Sequence, residues 1–188
     1  MAAEPMVMLF GDSMLGRFTK PRILALEREL NDAATVYNCA AGGWDSSDCA
    51  PRAAVLARLA PAVVVVSLGA NDCAPWKRVP PEEFAENVRI VVEAFRSSSV
   101  VGLLPPVIRE VGRPETAGRT NAELDRYREI LRVAVGPAAC VDLATVLADV
   151  DFAPLEDDGL HLTAESYAAV IPALARVVER GLPAEARA

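Results

Sequence analysis

The sequence has one histidine, His161, in 188 residues. Any imidazole chemistry falls on that residue or is absent. Paired cysteines are missing too. Cys39, Cys49, Cys73 and Cys140 form no C-x-x-C spacing, and none has a histidine at zinc-finger distance. No metal site is expected from them, and free thiols in a reducing compartment are favoured over disulfides. No apolar run reaches the roughly 18 residues of a membrane span, so no integral membrane segment is expected. Basic clusters are absent: 19 Lys and Arg are scattered among 26 Asp and Glu, for a net charge of −7. Phosphate-backbone binding needs a cationic footprint, so nucleic acid is not an expected partner. The chain contains neither a phosphate-loop lysine nor a G-x-G-x-x-G. The opening Met-Ala-Ala-Glu-Pro lacks the basic and apolar stretches of a signal peptide. A cytoplasmic location is the expectation, although a mature form that had lost a leader would read the same. Repeats, low-complexity tracts and linkers are missing, so residues 1–188 are read as a single domain.

What is present begins with Met6-Val7-Met8-Leu9-Phe10, a short continuous apolar run that ends at Gly11-Asp12-Ser13. Such a run bounded by glycine reads as a strand buried on both faces. Asp12 and Ser13 are good N-caps for a following helix. Met14 to Leu30 has helical apolar spacing, with Pro21 as a break or restart. Ala34 to Asn38 is a second strand, and Ala50 to Leu59 a helix with Pro51 in its first turn. Ala62 to Leu68, with four successive valines, is the clearest central strand. A helix follows from Pro80-Pro81 to about Ser97. Val100 to Leu104 is a fourth strand, and Ile108 to Arg119 a polar loop and candidate lid. Thr120-Asn121 opens a helix to about Val135. Ala138 to Val141 is a fifth strand, Leu143 to Val150 a brief helical piece, and Thr163 caps a helix to about Arg180. Strands alternating with helices predict a three-layer α/β/α sandwich on a five-stranded parallel sheet. Ligands bind such sheets beyond the carboxyl ends of the strands.

Four polar stretches fall at those ends: Gly11-Asp12-Ser13, Gly42-Gly43, Gly69-Ala70-Asn71-Asp72 and Asp158-Gly159-Leu160-His161. Together they supply the parts of a serine acyl-transfer site. Ser13 is the candidate nucleophile and His161 its base. Asp158, three residues before His161, is suited to receive Nδ1–H and fix the tautomer. The backbone N–H of Ser13, that of Gly43 (or Gly42) and the Asn71 amide are the candidate oxyanion donors. Asp12 and Asp72 read as structural turn residues. Trp44 and Trp76 follow two of these loops and are candidates for the substrate pocket, with rim or core packing as the alternative.

In these motifs the chain resembles the SGNH/GDSL hydrolases, serine esterases and lipases of flavodoxin-like fold. Gly11-Asp12-Ser13 is similar to the family's nucleophile block. Asn38 with Gly43 resembles the second block, Gly69-Ala70-Asn71-Asp72 the third, and Asp158-Gly159-Leu160-His161 the last. The resemblance spans residue 6 to about 178. It implies strand order 2-1-3-4-5, a small-molecule ester as substrate and no cofactor. Met14 departs from the usual leucine and Ala40 from a frequent glycine. Three activities fit: an ester hydrolase forming an acyl-enzyme on Ser13, an acyltransferase or thioesterase with the same triad, and a non-catalytic α/β domain binding an anion at its strand-end loops.

Overall fold

The computed structural model describes residues 4–110 and 118–186. Its centre is a pair of apolar strands, β1 (Met6–Gly11) and β3 (Val63–Ser67), which lie side by side. Every residue of β3 is buried, as an unalternating valine run requires when helices cover both faces. β2 (Thr35–Asn38) is an edge strand with Tyr37 exposed. β4 (Ser99–Leu104) and β5 (Cys140–Asp142) complete a parallel sheet of order β2-β1-β3-β4-β5. The expected five strands and their order are therefore the observed ones.

Helices cover both faces. α3 (Ser46–Ala57), α4 (Pro81–Ala94) and α5 (Asn121–Val135) pack in succession on one side. α2 (Lys20–Glu29) and α7 (Ala164–Gly181) pack together on the other. The short α1 (Ser13–Gly16) follows β1, and α6 (Leu143–Val146) follows β5. The last helix shows why these segments fold as they do. Tyr167, Val170, Ile171, Leu174 and Val178 recur at three- and four-residue spacing and are buried against the sheet. Burial of each such side chain contributes about 1.5–3 kcal/mol. Among the described residues no helix is long and apolar enough to cross a membrane. All four cysteines are free thiols.

Several boundaries differ from the sequence reading; α6, for one, ends at Val146 and not Val150. The helical stretch after β1 breaks at Arg17–Thr19 and restarts with Pro21 in the first turn of α2, the restart expected of that proline. α3 starts at Ser46, four residues early, because Asp45 and Asp48 form a reciprocal capping box. Pro51 therefore lies inside that helix. β5 is the shorter Cys140–Asp142.

Where β1 ends, its backbone passes very close to β3. Gly11 has φ +137°, and a Cβ there would fall 2.0 Å from the Ser67 carbonyl oxygen. Only glycine fits both the conformation and the space. We expect Gly11→Ala to lower unfolding stability by about 3 kcal/mol or more. Chemical denaturation checks this, and an unchanged midpoint would mean that the strands separate at no cost.

Candidate active site

The site is built at the carboxyl edge of the sheet from turns that each strand end forces. Beyond Gly11 the chain turns into α1, with Asp12 as N-cap. Asp12 Oδ1 accepts from the Met14 amide at 3.0 Å and from Ser67 Oγ at 2.9 Å, and the Asp12 amide donates to the Ser67 carbonyl at 3.0 Å. These bonds fix Ser13 as the first residue of α1. At the end of β2, Asn38 Nδ2 donates to the Leu15 and Phe18 carbonyls, at 2.9 and 3.1 Å. This ties the next loop to α1. The loop turns at Gly42-Gly43, closed by the Trp44 amide on the Ala41 carbonyl at 3.4 Å. Gly43 sits at φ +81°, the left-handed conformation that the second central residue of a type II turn demands. A Cβ on Gly42 would lie 4.0 Å from Ser13 Cβ, so the glycine turn borders the serine directly.

After β3, Asp72 accepts from the Ser46 amide at 2.8 Å and the Gly69 amide at 3.0 Å. Asp72 thereby stitches the start of α3 to the third loop, and Asn71 is held at the edge. Asn71 Nδ2 donates to the Trp44 carbonyl at 2.8 Å. The last loop closes on itself through the Glu156 amide on the His161 carbonyl at 2.7 Å, and the Arg109 amide anchors it by donating to the Gly159 carbonyl at 2.8 Å. Asp158 Oδ1 accepts from the Leu160 and His161 amides, each at 2.9 Å. Its Oδ2 lies 2.5 Å from His161 Nδ1, and His161 Nε2 lies 2.9 Å from Ser13 Oγ. Ser13 and His161 are 148 positions apart in sequence. Three of the residues singled out in the sequence are therefore joined in one hydrogen-bonded line.

The GDSL-like lipase/acylhydrolase family model matches residues 9–169. The chain belongs to this family. Among GDSL relatives, a GDSL esterase/lipase of Arabidopsis thaliana is 28% identical over 144 residues, covering 62% of this chain and 59% of that protein. This chain thus matches less than two thirds of that relative's length. The lipase/acylhydrolase of Enterococcus faecalis superposes with a TM-score of 0.80 at 24% identity, over 95% of this chain and 97% of the other. A carbohydrate acetylesterase of Sinorhizobium meliloti gives 0.74 at 17% identity, over 94% and 99%. At those identities the likeness establishes the fold.

In this GDSL-like protein the serine opens onto a cavity of about 470 Å³. Ser13, Gly42, Gly43, Asn71 and His161 border it, as do Trp76 and Leu160. Trp44 does not, which corrects the pocket reading of that residue and leaves its packing alternative. Its ring packs edge-on against Phe10 at 6.4 Å and lies under the Arg52 guanidinium at 4.7 Å. It reaches the site only through its main-chain carbonyl. Of the candidate lid, residues 111–117 lie outside the described residues. Its base is pinned, since Asn121 bonds both the amide and the carbonyl of Ile108 at 2.8 and 2.9 Å.

Three basic residues at the cavity were not anticipated. Arg17 pairs with Glu156 at 2.7 Å. Lys77 Nζ donates to the Gly43 carbonyl at 2.6 Å and pairs with Asp45 at 2.8 Å. Arg119 is 3% exposed and comes from the far end of the candidate lid. No local pattern marks any of them: Arg17 caps the end of α1, Lys77 follows the third loop, and Arg119 precedes α5. Glu156, Asp158 and His161 have ligand atoms within 4.8 Å of one another. Glu156 is nevertheless engaged by Arg17, and the other two by each other.

Electrostatics separates the two carboxylates beside the site. Burial alone would raise the Asp158 carboxyl. Hydrogen bonds from the His161 ring and from the His161 and Leu160 amides outweigh it and lower the pKa to about 2. An ionised Asp158 can only accept, so His161 Nδ1 is the donor in that pair. In the neutral ring Nε2 then carries the lone pair that faces the serine hydroxyl. Asp12 goes the other way. Burial pushes it up to about 7 despite bonds from the Met14 amide and Ser67, and the nearby Asp72 adds to the rise. Its Oδ2 is buried without a hydrogen-bond partner among the described residues.

The Asp12 shift has a consequence for stability. The folded state holds this proton more tightly than the unfolded chain, whose carboxyl titrates near its ordinary 3.8. The resulting penalty is absent below that value, grows as pH rises towards about 7, and is constant above. Asp12→Asn removes this contribution while leaving an oxygen to accept from Met14 and Ser67. Its unfolding free energy should therefore fall less steeply between pH 4 and 7 than that of the parent, by at most about 1.4 kcal/mol per pH unit. Denaturation curves across that range check it, and parallel pH profiles for the two proteins would contradict it.

Proposed function

We propose that this enzyme cleaves carboxylic esters through an acyl-enzyme on Ser13. His161 Nε2 takes the hydroxyl proton as Ser13 Oγ attacks the carbonyl carbon. Asp158 holds the ring in the tautomer that leaves Nε2 free to accept, and stabilises the imidazolium that forms. The negative oxygen of the tetrahedral intermediate is met by the backbone N–H of Ser13, the N–H of Gly43 and the remaining N–H of the Asn71 amide. His161 then returns its proton to the departing alkoxide. Water, deprotonated by the same ring, attacks the acyl carbon and regenerates Ser13.

One observation carries this reading: the unbroken contact from Ser13 Oγ through His161 to Asp158, at 2.9 and 2.5 Å, on the rim of the cavity. The preference for Gly43 over Gly42 rests on its spacing of five residues after Asn38, in a turn that borders Ser13. Trp76 and Leu160 offer apolar surface for the acyl or leaving group.

Rapid-mixing kinetics with p-nitrophenyl acetate test the scheme. We expect an initial release of p-nitrophenol close to one equivalent per enzyme, followed by slower turnover limited by deacylation. Adding a series of alcohols should then partition the acyl group in proportion to nucleophile concentration. A linear time course, with no kinetic sign of a shared intermediate and no effect of alcohols on product ratio, would argue for direct attack by water.

A further inference from the structure

The side chain of Asn71, at the cavity, is held by hydrogen bonds at both ends of its amide. Its Nδ2 donates to the Trp44 carbonyl at 2.8 Å, and its Oδ1 accepts from Arg119 Nη2 at 3.4 Å. Arg119 Nε donates to the adjoining Ala70 carbonyl at 2.8 Å. The guanidinium also lies 4.5 Å from the centre of the Trp76 ring. One buried cation, 48 positions from Asn71 in sequence, thus grips both the backbone and the side chain of the third loop.

A carboxamide is nearly symmetrical in shape, so sterics do not select which end faces the cavity. Hydrogen-bond polarity does. Rotating the Asn71 amide by half a turn would set its NH₂ against the Arg119 donors and its oxygen against the Trp44 carbonyl oxygen. Both contacts would be repulsive, at a place where water offers little relief. Arg119 also draws electron density towards Oδ1, which makes the Nδ2 hydrogens stronger donors. The second Nδ2 hydrogen is not used by Trp44 and is left for a substrate oxygen. Its bond strengthens as that oxygen gains charge, so its value appears in the transition state more than in substrate binding.

We infer that Arg119 is a positioning residue that orients and polarises the Asn71 carboxamide for oxyanion stabilisation, an inference that rests on Asn71 being an oxyanion donor. It acts through Asn71 and makes no required contact with the ester.

A double-mutant cycle of Asn71→Ala and Arg119→Met, measured as kcat and KM on a short p-nitrophenyl ester, tests this. Thermal melts of each variant give the folded fraction used to normalise kcat. Asn71→Ala should lower kcat by roughly 100-fold or more. Arg119→Met should lower kcat by roughly ten-fold or more, short of losing the donor outright, with KM within about three-fold. In the Asn71→Ala background the same arginine change should cost less than about two-fold, since its target is gone. Equal losses in both backgrounds would overturn the inference while leaving Asn71 as a donor. Normal turnover by Asn71→Ala would overturn the oxyanion assignment and this inference together. Arg119→Lys keeps the charge but cannot bridge the Ala70 carbonyl and Asn71 Oδ1 with one nitrogen. It should lose at least about five-fold in kcat, and it replaces the methionine variant in the cycle if that variant does not fold. Full activity in Arg119→Lys would mean that charge alone suffices, and the inference would be wrong.

Discussion

Ser13→Ala is expected to reduce kcat on any ester substrate by about 10⁴-fold or more, with little change in KM or in melting temperature. The hydroxyl is the only part of Ser13 that the proposed reaction consumes. Its Oγ contacts His161 Nε2 at 2.9 Å, and its removal leaves the Asp12 cap and the α1 turn in place. The scale follows from how such sites behave as units: once the nucleophile is lost, what remains is the rate enhancement of binding and of the oxyanion donors acting on water. The residual reaction should show no initial burst, because no acyl-enzyme forms. Steady-state assays on folded, purified variant check this. Residual activity within ten-fold of the parent would remove Ser13 from the chemistry.

Asp158→Asn carries the second large effect, and it separates geometry from charge. An asparagine can keep one oxygen on the Leu160 and His161 amides, which Asp158 Oδ1 now accepts at 2.9 Å. Its NH₂ then faces His161 Nδ1 where a carboxylate oxygen stood at 2.5 Å. Two donors cannot share that contact, so the ring is driven to carry its proton on Nε2. Nε2 then has no lone pair for the Ser13 proton, and kcat should fall by about 10⁴-fold although the loop is unchanged. Because hydrogen bonds hold Asp158 down at about 2, this carboxylate stays ionised through the whole working range of pH. Its stabilising contribution is fully present above the ordinary 3.8 and is lost only as pH falls through about 2. The parent should therefore show no loss of activity from this group between pH 4 and 8. Kinetics of the variant, with its spectrum of folded structure alongside, measure the effect; an Asp158→Asn enzyme as active as the parent would show that His161 needs no orienting acid.

What could be read from residues alone was what local chemistry encodes. Unalternating apolar runs at Met6–Phe10 and Val63–Val66 announced buried parallel strands, since only helices on both faces permit them. Gly11, Gly43 and Gly69 stood where the backbone takes positive φ, and the polar residues beside them marked the strand ends. Helix starts were less legible. Asp45, Ser46, Ser47 and Asp48 all look like caps, and only the reciprocal bonding of Asp45 with Asp48 selects one. Least legible were residues whose place is set by closure of the fold over long separations. Arg119 reaches Ala70 across 49 positions, and nothing near it in sequence distinguishes it from the exposed arginines of α5. Trp44 stayed open between pocket and packing for the same reason: its neighbours put its main chain at the site, but the Phe10 ring on β1 claims its side chain.

The central claim is that Ser13 becomes acylated because His161 takes its proton. The most direct measurement is mass spectrometry of the protein after brief exposure to a fluorophosphonate, with the label mapped to a peptide, in the parent and in His161→Ala. The account predicts one adduct per chain in the parent, on the peptide that contains Ser13, and a labelling rate at least about 10³-fold slower in the variant. A label on any other residue, or equal labelling of Ser13 in both proteins, would contradict it.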